Sequence, residues 1–205
     1  GGYRGYGHSH SQTLATWFMN VPGQKVVTAG HAAQAAALLR TAIRDDDPVV
    51  FMEHKLLYGQ KVKPEDIQDE APLGRARIAR RGADISIVTF GYGVTQAMQA
   101  AAKLSEDGIE AELVDLVTLK PYDRETVFGS VRRTGKAVFL EEGPLTAGVT
   151  AELCSAVAEE CLWDLDGRLV RVGARDLPIP AAANAERMVL PGPADVVRAV
   201  HKAMS

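Results

Sequence analysis

Apolar positions along this chain recur with a period near 3.6 in some segments and in short unbroken runs in others. The changes of pattern fall at glycine and proline. Residues 11–21, SQTLATWFMNV, set Leu14, Trp17, Phe18 and Val21 at helical spacing. PGQ turns the chain, and KVVTAG (25–30) reads as a short buried strand. HAAQAAALLRTAIRDDD (31–47) predicts a helix with Ala35, Leu38, Leu39 and Ala42 on one stripe. It must stop before Pro48, because the residue ahead of a proline is steered out of the α region. PVVFMEH (48–54) is a second apolar run between breakers, hence a strand.

Residues 59–72, GQKVKPEDIQDEAP, lose this order and read as a linker between domains. RARIARRGADISIVTFG then predicts a strand, an Arg-Gly turn and a buried strand. VTQAMQAAAKLSEDG is an amphipathic helix ended by Gly108, and EAELVDLVTLKP a strand stopped at Pro121. DRETVFGSVRRTG is a helix capped by Asp123 with Gly135 beyond its end. KAVFLEE is a strand, AGVTAELCSAVAEECLWDL a long helix and RLVRVGARD a last strand. An irregular PIPAAANAERMVLPGP leads to a closing helix, ADVVRAVHKAMS.

Strands separated by helices imply an α/β fold with a mostly parallel sheet covered on both faces. Residues 73–205 carry enough elements for a core of their own. Residues 1–58 supply only two strands and two helices. Half a sheet leaves a bare edge, so the chain is expected to begin inside a domain.

Composition changes this picture little. The 205 residues are 46% hydrophobic and 24% charged, with a formal net charge of −3. That balance gives no electrostatic case for nucleic acid or an anionic membrane. No apolar run approaches the ~20 residues a membrane span needs, and GGYRGYG lacks the charged start and apolar core of a signal peptide. The cytoplasm is the default location. Cys154 and Cys161 match no zinc spacing and read as buried or half-buried free thiols.

Four stretches could carry chemistry. In YGHSHSQ, His10 precedes the helix expected from Ser11, and a neutral imidazole there can exchange a proton near physiological pH. His8 lies two residues earlier on the same loop; the plain alternative is that Ser9 or Ser11 caps the helix and both histidines are solvated. In AIRDDDP (42–48), acids and free carbonyls at a helix end suit a hard cation, or else form a solvated exit. Acids there oppose the helix dipole, which calls for a compensating positive charge. GYGVT (91–95) is a fragment of a phosphate-cradling loop and fits a tight strand-to-helix turn better; Asp115 lies roughly where such a motif has its acid. EEGPLTAGVTAE (141–152) puts two acids at a strand end before a helix, a place for a ligand or a subunit contact.

Taken in order, GHSHSQTLATWFMNVPGQKVV, AAALLRTAIRDDDPVVFMEHKLLYG, PLGRARI, AELVDLVTLKPYDRETV and VFLEEGPLTAGVTAEL closely resemble one family. It is the β subunit of the thiamine-diphosphate-dependent decarboxylase component of 2-oxo acid dehydrogenase complexes, and the resemblance spans essentially the whole chain. It implies the rear part of a three-layer pyrimidine-binding domain (1–58), a linker (59–72) and a transketolase C-terminal-type domain (73–205). It further implies oxidative decarboxylation of a 2-oxo acid with reductive acylation of lipoamide in an α2β2 assembly, this chain alone being inactive. Thiamine diphosphate would lie between α and β, its magnesium on the α side, and the family's aminopyrimidine-contacting glutamate would fall ahead of residue 1. His10 matches the family's active-site histidine, whereas His8 and Ser9 replace its usual proline and threonine. A potassium ion would bind backbone carbonyls of Ala42, Asp45 and Asp47. The implied partners are the α subunit, a second β subunit, the dihydrolipoyl acyltransferase core and its lipoyl domain. An acetoin dehydrogenase component, or a non-catalytic assembly fragment of the β subunit, are the rival readings.

Overall fold

A computed structural model describes residues 1–67, 69 and 71–205; positions 68 and 70 of the expected linker lie outside the described residues. The elements run α1 (Ala15–Met19), β1 (Lys25–Thr28), α2 (Ala32–Arg44), β2 (Val49–Met52), β3 (Arg77–Arg80), β4 (Ile85–Thr89), α3 (Gly93–Glu106) and β5 (Ala111–Asp115). They continue with β6 (Thr118–Lys120), α4 (Arg124–Thr134), β7 (Ala137–Pro144), α5 (Val149–Cys161), β8 (Leu169–Ala174), α6 (Ala183–Val189) and α7 (Pro193–Met204). Short 3₁₀ turns occupy Lys55–Gly59, Pro64–Asp66 and Leu162–Asp164.

Two sheets result. The larger has the order β3-β5-β4-β7-β8, parallel throughout except for β3. Because side chains alternate across a strand, Ile85, Ile87, Leu113, Val138 and Leu140 face α3 and α7. Val88, Val114, Ala137 and Phe139 face α4 and α5. Both faces are covered, which is why the central strands β4 and β7 carry apolar side chains on both sides. Phe139 is fully buried, and truncating it to alanine would cost about 3–5 kcal/mol.

The smaller sheet has the order β2-β1-β6: β1 is parallel to β2, from Lys25 opposite Val49 to Thr28 opposite Met52, and antiparallel to β6. The strand expected over residues 110–121 is therefore two strands in different sheets. The break is at Val117, whose φ of 57° no strand residue adopts; its N–H donates to Asp115 Oδ1 at 3.3 Å. One six-residue stretch thus ties the front of the chain to its rear.

Three other expectations are corrected. The helix predicted over 11–21 shrinks to the five residues of α1, because the chain first makes a turn in which His10 and Ser11 N–H both donate to Gly7 O. Its apolar stripe is uncovered: Ala15 is buried, while Trp17 is 71% exposed. On α2 the buried face is Ala33, Gln34, Ala37 and Leu38, leaving Leu39 exposed. The segment read as irregular before the last helix contains α6, whose Val189 and Leu190 pack with Ala174, Ile179 and Tyr3 in a small cluster. Cys161 is buried and Cys154 half-buried, both as free thiols.

Candidate active site on the glycine-rich loop

The front loop, residues 1–14, is where the chemistry gathers. His8 and His10 are both exposed, and neither ring makes a hydrogen bond among the described residues. Since α1 starts at Ala15 and its N-cap Leu14 offers no side-chain acceptor, neither Ser9 nor Ser11 caps it. His10 therefore stands at a turn, not at a helix N-terminus. Ser11 is buried with its hydroxyl unpartnered, and Gln12 Nε2 donates to His8 O at 2.7 Å, fixing the turn from below.

Behind this turn lies a buried polar cluster. Glu142, on β7, accepts from Thr13 Oγ1 at 2.7 Å and from Gly2 N at 2.6 Å, both through Oε1. Its Oε2 is 2.9 Å from His54 Nε2, although the ring N–H does not point squarely at it, so this is an electrostatic contact more than a formed hydrogen bond. His54 Nδ1 accepts from Leu56 N at 3.3 Å, which places the ring proton on Nε2. The imidazole stacks on Tyr92 at 4.7 Å between centroids, and Tyr3 tilts against both rings. Burial pushes the Glu142 carboxyl upward, but the nearby His54 imidazole and the hydrogen bonds from Thr13 and Gly2 outweigh it and hold the group below its ordinary value. Burial raises the Tyr3 and Tyr92 hydroxyls. A cavity of about 60 Å³ opens here between Gln12, Thr13, Thr28, His54, Tyr92 and Glu142.

The neighbouring acid, Glu141, points the opposite way, as adjacent strand residues do. Its carboxylate accepts from Val149 N at 3.1 Å and Thr150 N at 3.0 Å, so it caps the N-terminus of α5. GYGVT is the strand-to-helix turn that spacing favoured: Gly91 takes φ 55° between β4 and α3, and Tyr92 presents its ring to His54. Asp115 is fully buried beside Arg77 Nη2 at 3.3 Å, and burial, opposed by Arg77, raises its pKa to about 6.

At the exit of α2 the compensating positive charge is Lys25 Nζ, within 2.8 Å of Asp45 and 3.1 Å of Asp47. Hydrogen bonding to Asp45 raises the Lys25 pKa, and the same bond lowers that of Asp45. Among the described residues no three His, Cys, Asp or Glu side chains are grouped to hold a metal. Ala42 is half-buried on the last turn of α2.

Sequence reasoning singled out His10 but not its surroundings. His54 served there only as the end of an apolar run, and Glu142 as one of a pair of acids. The available signal was a histidine just past the end of one strand and an acid near the end of another, followed by Gly143.

Two family models match the chain: that of the transketolase C-terminal domain over residues 74–196, and that of the transketolase pyrimidine binding domain over residues 1–61. The chain is 45% identical over 207 residues to the pyruvate dehydrogenase E1 component subunit beta-1, mitochondrial, of Arabidopsis thaliana, covering 99% of this chain and 57% of the relative. It is 43% identical over 192 residues to the pyruvate dehydrogenase E1 component subunit beta of Rhizobium meliloti, covering 93% of this chain and 42% of the relative. The chain thus spans about half the length of these relatives. Among solved structures, a split gene transketolase described as an inactive beta4 tetramer superposes with a TM-score of 0.78 at 29% identity, over 97% of this chain and 64% of that one.

Proposed function

This chain belongs to the transketolase family, and from that premise we propose that it acts as the β subunit of a 2-oxo acid dehydrogenase decarboxylase component. We read residues 1–58 and 73–205 as its pyrimidine-binding and C-terminal units, joined by 59–72. The observation that carries the reading is that a relative named as a pyruvate dehydrogenase E1 β subunit matches 99% of this chain at 45% identity. The reaction is oxidative decarboxylation of a 2-oxo acid with reductive acylation of lipoamide. The partners are an α subunit, a second β subunit, and the acyltransferase core with its lipoyl domain.

Thiamine diphosphate is the implied cofactor. The 60 Å³ cavity beside His54 is far below the roughly 300–1,000 Å³ of small-molecule sites, so it cannot hold the cofactor by itself, and we read its lining as one wall of a site shared with another subunit. When bound, the cofactor supplies the electron sink for loss of carbon dioxide. His10, exposed and unpartnered, supplies an imidazole nitrogen that holds the substrate oxygen and passes a proton during acyl transfer. The magnesium belongs with the diphosphate on the α side. A potassium ion is assigned to the carbonyls of Ala42, Asp45 and Asp47, since the Asp45 and Asp47 carboxylates are engaged by Lys25.

Mixing the chain with an α subunit, thiamine diphosphate and magnesium, then measuring lipoamide reduction with pyruvate, branched-chain 2-oxo acids and acetoin, tests this. Turnover that needs both polypeptides is the expected result, and the preferred substrate separates a pyruvate from an acetoin enzyme. A complex that forms by sedimentation yet reduces lipoamide with none of the three overturns it. A second reading is a non-catalytic assembly unit, favoured by the uncovered Trp17 face and by the structural neighbour described as an inactive beta4 tetramer. Self-association without turnover, unchanged by added α subunit, would select that reading.

A further inference from the structure

We propose that Glu142 is a positioning residue: its carboxylate is the clasp that sets the shape of the loop carrying His10. The proposal rests on the proposed role of His10, but its structural half can be tested without it.

Residues 1–14 contain no helix or strand. Tyr3 has a left-handed φ of 67°, which a non-glycine residue rarely adopts, so its place in the path is held from outside, whereas Gly5 and Gly7 take 72° without strain. Hydrogen bonds to Glu142, Glu186 and Pro191 tie the loop to the rear half of the chain, and Tyr3 also packs on His54 and Tyr92. Glu142 Oε1 takes Gly2 N and Thr13 Oγ1 together, which closes the two ends of the loop on one oxygen. Glu186 Oε2 takes Gly5 N at 2.8 Å, and Pro191 O takes the Tyr3 hydroxyl at 2.8 Å. His10 lies inside the closed segment, three residues before Thr13.

The clasp is itself immobilised. Glu142 is 8% exposed, and its second oxygen faces His54 Nε2, while His54 is stacked on Tyr92 and tied through Nδ1 to Leu56 N. A carboxylate suits the position because it only accepts, and everything pointed at it donates. Glutamine keeps the size but turns half of the group into a donor facing donors. Net depression of the Glu142 pKa by those same donors keeps it an acceptor at neutral pH.

The test compares Glu142→Gln and Thr13→Val with the unaltered 205-residue chain by amide hydrogen exchange, and then in assemblies reconstituted with an α subunit. Both substitutions should speed exchange of residues 2–13 by about tenfold or more, as expected for loss of a charge-assisted bond, with core strands β4 and β7 unchanged. In the reconstituted enzyme kcat for lipoyl acylation should fall while KM for the 2-oxo acid holds. Thr13→Val removes only the loop's donor, so it reports even where Glu142→Gln fails to fold. Unaltered exchange across residues 2–13 in the folded variants refutes the clasp. Faster exchange with unchanged kcat refutes the positioning role. If His10→Ala leaves turnover intact while Glu142→Gln still loosens the loop, it is the role assigned to His10 that fails.

Discussion

Lys25 Nζ lies 2.8 Å from both carboxylate oxygens of Asp45, joining the first residue of β1 to the residue that ends α2. An acid at a helix C-terminus is disfavoured by the dipole, and here the offsetting charge is built into the chain. The carboxylates are thus not free to ligate, and any monovalent cation must rely on carbonyl oxygens.

Melting temperatures in potassium, sodium and lithium chloride at equal ionic strength test that site. A carbonyl site selective for potassium raises the melting temperature in potassium alone, by about 2.7 kcal/mol of added stability at a hundredfold excess over Kd. Lys25→Met should melt lower in all three salts yet keep the potassium increment. Identical melts in the three salts remove the ion from Ala42, Asp45 and Asp47.

Asp115 gives a pH dependence of defined sign. Its folded-state pKa of about 6 exceeds the ordinary 3.8, chiefly through burial, so between those values the folded chain binds more protons than the unfolded one. Stability contributed here is present at acid pH and falls as pH rises through about 4 to 6. The shift corresponds to about 3 kcal/mol as an upper bound. Asp115→Asn should flatten that slope in a plot of urea-unfolding free energy against pH. Parallel curves for the two proteins would mean that Asp115 titrates normally when folded.

His10→Ala is expected to lower acylation of the lipoyl domain by roughly 10²–10⁴-fold in a reconstituted enzyme, the range for loss of a general acid–base group. His8→Ala should leave it little changed, since His8 is exposed and only its backbone carbonyl is engaged. Steady-state rates of both variants decide which imidazole faces the substrate. A larger loss at His8 would reverse the assignment.

Fold class was legible because burial on both faces of the larger sheet leaves short, mostly apolar runs such as ISIV and AVFL between helical segments. Caps were legible too: Asp123 accepts Thr126 N, and Gly135 is left-handed at the end of α4. What could not be read is long-range. Val117 is a β-branched residue that by propensity continues a strand, yet Asp115 and the pairing of β6 with β1 turn the chain there. The stripe Leu14, Trp17, Phe18, Val21 promised a core face, and only the fold reveals that Trp17 is uncovered. The candidate site was half visible: His10 stood out by type, but the glutamate closing its loop lies 129 residues beyond Thr13 along the chain.

The turn between β3 and β4 presses on β5 without any side chain. A Cβ added at Gly82 would meet Ala111 C at 2.2 Å, Glu110 O at 2.4 Å and Glu112 N at 2.4 Å, all of them backbone. Ala83 N and Asp84 N both donate to Glu110 O, so the turn cannot lift away without breaking these bonds. Overpacking of this kind costs about 1–3 kcal/mol, and backbone neighbours put Gly82→Ala at the upper end. Gly129 is the matched control. It sits inside α4, where an added Cβ meets nothing closer than Arg133 Nη1 at 3.9 Å. Replacing a helical glycine by alanine there should stabilise by about 0.5–1 kcal/mol. Urea midpoints of the two variants should therefore move in opposite directions, Gly82→Ala down and Gly129→Ala up. Should Gly82→Ala unfold at the wild-type midpoint, β3 and its turn do not pack on β5 as described.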